Sequence, residues 1–319
     1  MTRIFLLILM VGFIWSCKND DDNDIVVVPP RLLSEVAVEN DAEIKSYLQT
    51  HFYNYEEFEN PTADFDYRIK LDTIAGENSD KTPLIDQVET KTVPRSSSHF
   101  NLNDGEEDVQ HTYYYLSARK GIGEQVTVAD SIYVRYEGSL LNGQVFDGAL
   151  FSPVWFDLAR IQAPQQGARG FTEGASNFFT GGTPIINDDG TFDVEGYGVG
   201  LVIFPSGLGY FNNSQTIIPA YSPLIFKMDV FAMNTADHDG DGIPSKDEDL
   251  DKDGYLYNDN TDQDFEDTNR SQRFANFLDP DDDGDTVLTK DEIVIEADGK
   301  ITFPDSDGDG TPDYLDSDS

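Results

Sequence analysis

The stretch YEGSLLNGQVFDG, residues 136–148, has the pattern of a β-hairpin. Its Asn-Gly pair at positions 142 and 143 is typical of a tight turn, because these residue types adopt positive φ angles readily. Tyr136 lies on the strand before the turn, and Phe146 lies on the strand after it. A hairpin requires only the turn, however. The two aromatic residues, with Asp147 directly after the second, indicate that this segment has a further role.

The neighbouring sequence extends this pattern over residues 111–233. The segments that carry it are, in chain order, YYYLSARKGIG (113–123), VTVADSIYVRYEG (126–138), NGQVFD (142–147), PVWFDL (153–158), RGFTEG (169–174), FPSGLGY (204–210), IIP (217–219) and PLIFKMDV (223–230). In this order they resemble the FKBP-type peptidyl-prolyl isomerases. The resemblance implies an α+β fold in which a twisted antiparallel sheet wraps around one short helix, with an apolar pocket between them.

The helix of this fold is expected at residues 169–180, where Phe171, Ala175 and Phe178 fall on one face. The resemblance also implies which residues form the catalytic pocket. They are the aromatic residues Tyr136, Phe146, Phe156, Phe171, Tyr210 and Phe226, with Ile217 and Ile218 on an overhanging loop and Asp147 at the rim. Tyr210 is expected to offer its hydroxyl to a substrate carbonyl, and Trp155 is an alternative wall residue.

Such a pocket explains why apolar residues are needed for this reaction. The barrier to rotation about an X–Pro bond is ~20 kcal/mol, because amide resonance is lost midway. An apolar, water-poor pocket favours the twisted amide, so neither a nucleophile nor a cofactor is required. The resemblance therefore implies an isomerase that acts on proline-containing polypeptide segments.

Several positions depart from the family pattern, and three of them concern the pocket walls and floor. Gly167 and Ala168 replace Val-Ile, which predicts one thinner wall, and Phe171 replaces Trp, which predicts a smaller pocket floor. These departures predict weak catalysis. They leave open a second hypothesis, in which the same fold binds polypeptide as a chaperone module without being an effective enzyme.

The N-terminal residues have the features of an export signal. Thr2-Arg3 precedes an apolar run at residues 4–15, which is too short to span a bilayer and is typical of a signal peptide. IWSC at positions 14–17 resembles a bacterial lipobox, which implies cleavage before Cys17, acylation of Cys17 and a lipidated tether over residues 17–32. The acidic run after Cys17 resembles the export tag of surface lipoproteins of Bacteroidetes-type bacteria. The expected location is the cell envelope, at the outer membrane or on the cell surface. A secretory signal with an incidental cysteine, followed by an acidic spacer, is the alternative.

Residues 33–110 form an N-terminal extension that is mostly polar. A short helix is expected to begin at Asn40 as its N-cap, because Ile44, Leu48 and Phe52 follow at helical spacing. Residues 67–74 alternate like a strand. The rest of the extension predicts loops and at most one further strand.

The C-terminal part of the chain is strongly acidic. Of the net charge of −40, residues 237–319 contribute −22, because they contain 28 acidic and 6 basic side chains. This charge argues against nucleic acid as a partner, since phosphates require basic side chains. It favours hard cations, which bind carboxylate oxygens.

Within this tail, D-x-D-x-D spacing recurs in twelve-residue loops. Side chains at positions 1, 3, 5 and 12 and the carbonyl at position 7 of such a loop surround one calcium ion. The expected ligands are Asp237, Asp239, Asp241, the carbonyl of Ile243 and Glu248 in the first loop; Asp281, Asp283, Asp285 and Glu292 in the second; and Asp305, Asp307, Asp309 and Asp316 in the third. A weaker fourth loop begins at Asp249.

The first and third loops have proline at position 8, at Pro244 and Pro312, and therefore resemble thrombospondin type 3 repeats more than EF-hands. The resemblance implies a helix-poor region, residues 234–319, that binds structural Ca²⁺. Two alternatives stay open. The tail is a disordered acidic segment, or it is itself the functional part, as a calcium-stabilised adhesion or spacer module.

Overall fold

The structure is a computed structural model that describes residues 29–188 and 192–319. The predicted signal peptide, Cys17 and the acidic run after it lie outside the described residues. Residues Arg31–Ser319 form one compact unit. Within the described residues, no helix combines the length and apolar character needed to cross a membrane.

The described residues contain short helices and a larger number of strands. The helices are α1 (Leu33–Thr50), α2 (Tyr55–Glu59), α3 (Leu158–Ile161), α4 (Arg169–Ala175), α5 (Gln263–Asn269) and α6 (Thr289–Glu292). The strands are β1 (His51–Tyr53), β2 (Leu71–Thr73), β3 (Glu89–Arg95), β4 (Val109–Arg119), β5 (Ser131–Leu140), β6 (Val145–Gly148), β7 (Val154–Asp157), β8 (Ile185–Ile186), β9 (Phe192–Asp193), β10 (Gly198–Phe204), β11 (Leu224–Asn234), β12 (Val294–Ile295) and β13 (Ile301–Thr302).

The main sheet is antiparallel, with the strand order β3-β4-β10-β11-β5-β6. Both β6 and β7 pair with β5, β6 near its C-terminal end and β7 near its N-terminal end. The register sets Tyr136 opposite Met228 and Gly138 opposite Phe226, so Tyr136 and Phe226 project from the same face of the sheet. The predicted α+β class with an antiparallel sheet and few helices is confirmed.

Helix α4 packs closely against this face of the sheet. A Cβ added to Gly170 would lie 2.3 Å from the ring of Phe204, and one added to Gly174 would lie 2.6 Å from Val202. The two glycines therefore permit the close approach of α4 to β10. The helix ends at Ala175, earlier than predicted, and there Asn177 Nδ2, in place of a backbone N–H, donates a hydrogen bond to the backbone oxygen of Glu173 at 2.7 Å.

Apolar clusters cover both faces of the main sheet. Along β10, Val202 and Phe204 belong to the cluster under α4, whereas Leu201 and Ile203 belong to a second cluster that includes Leu48 of α1. Every residue of β10 is buried. The sheet therefore lies between α4 on one face and the N-terminal extension on the other.

The start of α1 differs from the prediction. The helix begins at Leu33, and Asn40 is buried in its interior, so the predicted N-cap at Asn40 is wrong. The Oδ1 atom of Asn40 accepts hydrogen bonds from the backbone N–H and hydroxyl of Ser206, and its Nδ2 donates to the backbone oxygen of Tyr221. These tertiary partners satisfy the amide and allow it inside a helix. Phe52 lies in β1, beyond the end of α1.

The extension also contributes β3, which pairs with β4 and forms one edge of the main sheet. The strand expected at residues 67–74 covers only Leu71–Thr73, where it pairs with β1. The boundaries 33–110, 111–233 and 234–319 stay a prediction. In the structure these three segments pack together.

The acidic tail has little helix, as expected, and it contacts residues of the 111–233 segment. Leu256 is buried against Ala129 and Ala159. His238 Nε2 lies 3.2 Å from Asp157 Oδ1. The rest of the tail consists mainly of loops, with short 3-10 helices at Ser245–Asp247, Leu256–Asn258, Asn276–Leu278 and Asp313–Leu315.

Candidate functional site

Aromatic side chains from five elements meet between α4 and the sheet. The ring centroid of Phe226 on β11 lies 5.5 Å from that of Phe146 on β6 and 5.2 Å from that of Phe171 on α4. Tyr136 lies 6.2 Å from Phe226, and Phe156 on β7 lies 5.2 Å from Tyr136. Most of these pairs meet edge to face, the arrangement that aromatic quadrupoles favour. The rings therefore form one contiguous apolar cluster.

A cleft of about 260 Å³ opens beside this cluster. It is lined by Phe146, Asp147, Tyr210, Gln215, Thr216, Ile217, Ile218 and Phe226. Of the nine predicted pocket residues, six line the cleft, and Tyr136, Phe156 and Phe171 belong to the ring cluster behind Phe226. Gln215 and Thr216 were missed by the sequence analysis, because they carry no motif of their own and follow from their position beside Ile217.

Two phenol groups and one carboxylate lie in or beside the cleft, together with the polar side chains of Gln215 and Thr216. The Tyr136 O–H donates a hydrogen bond to Asp147 Oδ2 at 2.7 Å. The Tyr210 hydroxyl makes no hydrogen bond to another of the described residues. Burial raises the pKa of Tyr210, and the nearby Asp147 carboxylate raises it further. Tyr210 therefore keeps its proton at neutral pH and has a free O–H donor at the wall of the cleft.

Gly167 determines where the Tyr210 ring lies. Gly167 has a φ angle of +78°, and a Cβ added to it would lie 2.4 Å from Tyr210 Cδ1. The ring of Tyr210 thus occupies the space that a side chain at position 167 would fill. The wall predicted to be thin at Gly167 is covered by Tyr210.

Trp155 does not belong to the cleft. The register pairs Tyr133 with Trp155 and Ile132 with Phe156, so Trp155 and Phe156 project from opposite faces of β7. Trp155 is 49 % exposed and packs against Tyr133 with a centroid distance of 5.2 Å. The alternative of Trp155 as a wall residue is excluded, and Phe156, on the other face of β7, belongs to the ring cluster beside the cleft.

The acidic loops all contain the same type of hydrogen-bonded turn. In each of the three predicted loops and in the fourth, the backbone N–H at position 6 donates to the carboxylate at position 1, and the N–H at position 7 donates to the carboxylate at position 5. The residue at position 6 has positive φ in every loop; it is glycine in three of them and Thr286 in the second. The common spacing therefore gives a common backbone conformation.

Several carboxylates predicted as ligands converge. Oxygens of Asp237, Asp239 and Asp241 lie within 4.8 Å of one another, and so do oxygens of Asp281, Asp283 and Asp285. In the third loop, Asp305, Asp307 and Asp309 accept the same backbone hydrogen bonds as their counterparts in the first, and one oxygen of Asp316 is buried. Burial and the neighbouring Asp283 and Asp285 raise the pKa of Glu292, the predicted closing residue of the second loop, to about 7.

Other acidic side chains were missed by the sequence analysis. They are Asp282 beside Asp241 and Glu248, Asp259 beside Asp249 and Asp251 of the fourth loop, and the group Asp262, Glu266 and Asp279 around α5. Burial raises the pKa of Glu248 to about 10 and that of Asp282 to about 9, and the surrounding carboxylates contribute to both shifts. Asp282 occupies position 2 of its loop, which the spacing rule does not count as a ligand position, so no sequence signal marked it.

Comparisons with known proteins found one family model and several similar solved structures. The family model described as BamM C-terminal matches residues 238–304. No curated protein matches the chain. Similar solved structures include a peptidyl-prolyl cis-trans isomerase from Pseudomonas syringae pv. tomato, at 22 % identity over 38 % of this chain and 75 % of that chain, with a TM-score of 0.30.

Two further similar structures have comparable scores. FkpA from Escherichia coli is 20 % identical over 63 % of this chain and 62 % of that chain, with a TM-score of 0.32. The N-terminal domain of FKBP42 from Arabidopsis thaliana is 13 % identical over 38 % of this chain and 86 % of that chain, with a TM-score of 0.31. The chain's own strand pairing and cleft define its class: an α+β protein whose antiparallel sheet carries an aromatic cleft with one free phenol donor.

Proposed function

We propose that this protein is a peptidyl-prolyl cis-trans isomerase of the FKBP type that acts on proline-containing segments of envelope proteins. The observation that carries the proposal is the cleft itself. Phe146 and Phe226 meet at its apolar wall, and the unpaired hydroxyl of Tyr210 lies at its side. The ordered motifs of residues 111–233, together with this geometry, support the FKBP assignment.

The residues of the cleft would have different roles in the reaction. Phe146 and Phe226 would hold the proline ring, since aromatic faces bury an apolar ring and offer no polar group in its place. Tyr210 would donate to a substrate carbonyl and so hold the peptide in the cleft, while the water-poor aromatic walls favour the twisted amide over the planar, more dipolar one. Asp147 accepts the Tyr136 hydrogen bond and so keeps the Tyr136 phenol directed to the rim.

The test of this function is an isomerase assay on the full chain. The segment 111–233 lacks β3 and would expose the edge of β4, so it is not a suitable substitute. A proline-containing peptide series that varies the residue before proline should show faster isomerisation with the protein than in buffer. Equal rates across the series would overturn the proposal.

We propose a structural role for Ca²⁺ in the tail. The support is the shared turn of the acidic loops and the convergence of carboxylates in the first and second loops. Oxygen-only ligand sets of this kind suit calcium, and extracellular sites bind it at ~10⁻⁴–10⁻³ M. Calcium titration followed by circular dichroism and protease resistance tests the role, and no change up to several millimolar, on the order of those affinities, would overturn it.

The cellular location is part of the same proposal. A lipid on Cys17 would anchor the chain in the outer membrane, and the match of residues 238–304 to the BamM C-terminal model favours an outer-membrane context. Metabolic labelling with a fatty acid, compared between the natural chain and Cys17→Ala, tests the anchor. Equal labelling of both would overturn it.

A second candidate function is that of a chaperone module, which has the same fold and binds polypeptide without catalysing isomerisation. Phe151 is 96 % exposed and lies at a cleft of about 480 Å³ that also contains Tyr133 and Phe192. Exposed aromatic side chains beside a cleft are typical of polypeptide-binding surfaces. Suppression of the aggregation of an unfolded protein, without any isomerase activity, would favour this alternative.

A further inference from the structure

Three acidic side chains from two different loops meet in the interior of the tail. Asp241 and Glu248 belong to the first loop, and Asp282 belongs to the second. Each of the three side chains is at most 2 % exposed. Each contributes one carboxyl oxygen to a group of three oxygens that lie within 4.8 Å of one another.

These carboxylates have no partners that would explain their burial. Both carboxyl oxygens of Glu248, both of Asp282 and one of Asp241 are buried without a hydrogen-bond partner among the described residues. No basic side chain in the described ranges forms an ion pair with any of the three. The neighbouring Ile243, Ile293 and Tyr314 form an apolar cluster.

Such an arrangement requires a compensating charge. Burying one unpaired carboxylate costs several kcal/mol, and three carboxylates that face one another add mutual repulsion. A cation placed between them would satisfy the unpaired oxygens and offset the charge. Because the donors are all carboxylate oxygens, the ion expected is a hard divalent one.

We propose that one calcium ion is bound jointly by Asp241, Glu248 and Asp282, so that Asp282 completes the site of the first loop and cross-links it to the second. This inference rests on the proposed binding of calcium by the tail. The backbone N–H of Asp282 donates to Thr289 Oγ1 at 3.2 Å, and Thr289 is fully buried. The second loop therefore holds Asp282 in a fixed position beside Asp241 and Glu248 of the first loop.

The cross-link has a consequence for the order of the tail. Residues 249–280 form a closed segment whenever the ion is bound, because both ends of that segment are tied to one centre. Removing the ion opens this segment and leaves three acidic groups without partners in the interior. Calcium thus holds the first and second loops together in addition to ordering each of them.

The test compares Asp282→Asn with the natural full chain, in calcium and in a chelator. Asp264→Asn is the matched control, because it removes the same charge from an exposed position on α5. In calcium, Asp282→Asn should bind one ion fewer than the natural chain, or should bind one of its ions at least about tenfold less tightly. It should also melt at a lower temperature than the natural chain. In the chelator, Asp282→Asn should melt at the same or a higher temperature than the natural chain, because it removes one of three buried acidic groups that have no partner without the ion.

Each other outcome has a defined meaning. Unchanged calcium stoichiometry and affinity in Asp282→Asn would overturn the shared site. A loss of stability of the same size in calcium and in chelator, including loss of folding in both, would assign Asp282 a purely structural role and also overturn it. Stronger stabilisation by magnesium than by calcium would overturn the choice of ion. If the natural chain binds no calcium, the proposed role of calcium in the tail fails as well.

Discussion

The guanidinium carbon of Arg169 lies 4.4 Å from the ring centroid of Tyr255. Arg169 is the first residue of α4, the helix that carries Phe171 of the aromatic cluster, and Tyr255 occupies position 7 of the fourth acidic loop. Arg95 of β3 lies against the same ring at 5.7 Å. The tail, the N-terminal extension and the helix beside the cleft therefore meet at one buried tyrosine.

Tyr255→Ala should lower the free energy of unfolding by about 3–5 kcal/mol, the usual cost of removing a large buried aromatic side chain. Tyr255→Phe is the matched control. Its lost hydroxyl is buried without a partner among the described residues, so the change should be within about 1 kcal/mol. Chemical denaturation measures both. Equal losses for the two variants would show that the ring contact with Arg169 is unimportant.

Arg169→Met should destabilise the protein by about 3–5 kcal/mol at neutral pH, because it leaves the buried Glu173 carboxylate without its cation. In the natural chain, Arg169 Nε donates to Glu173 Oε1 at 2.9 Å, and the two side chains are 2 % and 8 % exposed. Replacing both residues, with Glu173→Leu added, should recover most of the loss. A double variant no more stable than Arg169→Met would contradict this explanation.

The same variant should show a characteristic pH dependence. Burial raises the pKa of Glu173 above its ordinary value of 4.5 even with Arg169 present. A raised carboxyl pKa means that the folded state binds the proton more tightly, so stability falls as pH rises from about 4.5 through the folded pKa. Without Arg169 this pKa rises further. The deficit of Arg169→Met relative to the natural chain should therefore shrink as the pH is lowered from 7 toward 5, and a constant deficit in thermal unfolding would contradict it.

Thr286→Gly should stabilise the second acidic loop. Thr286 has a φ angle of +85° at the position where the other loops have glycine, and a β-branched residue is strained there. The expected gain is about 1–2 kcal/mol, seen as a higher melting temperature in calcium. Gly310→Thr is the reciprocal control, since it introduces the same strain at φ +106° in the third loop and should destabilise. A destabilising effect of Thr286→Gly would contradict the strain.

Gly167→Ala should displace the Tyr210 ring and lower isomerase activity about tenfold or more. The added methyl group would lie 2.4 Å from Tyr210 Cδ1, at a φ angle that disfavours alanine. Each ~1.4 kcal/mol lost from transition-state stabilisation is a factor of ten in rate. Isomerase activity of the variant, with circular dichroism as a check of folding, measures the effect. Full activity would show that the position of Tyr210 does not matter.

The features that could be predicted from the sequence are those fixed by local spacing. The hairpin at residues 136–148 and the D-x-D-x-D loops each depend on residues a few positions apart, so their pattern specifies their conformation. The resemblance also named residues of the aromatic cluster, because it orders them along the chain. The structure brings two of them, Phe146 and Phe226, to a ring-centroid distance of 5.5 Å.

The features that were missed depend on contacts between distant residues. Asn40 has the local pattern of an N-cap, but its amide is used by Ser206, a partner 166 positions away. The pairing of β3 with β4 joins a polar segment to the sheet, and polar edge strands carry little hydrophobic pattern. Asp282 is one acid among many, and only its burial beside Glu248 distinguishes it.

The most direct test of the central claim compares the isomerisation rate of a proline-containing peptide for the natural full chain and for Tyr210→Phe and Phe146→Ala. Trp155→Ala is the matched control, because it removes an aromatic side chain from the opposite face of the sheet. The cleft hypothesis predicts weak but measurable activity in the natural chain, lower activity in Tyr210→Phe and Phe146→Ala, and unchanged activity in Trp155→Ala. Rates equal to buffer for the natural chain, or equal activity in all four proteins, would contradict it.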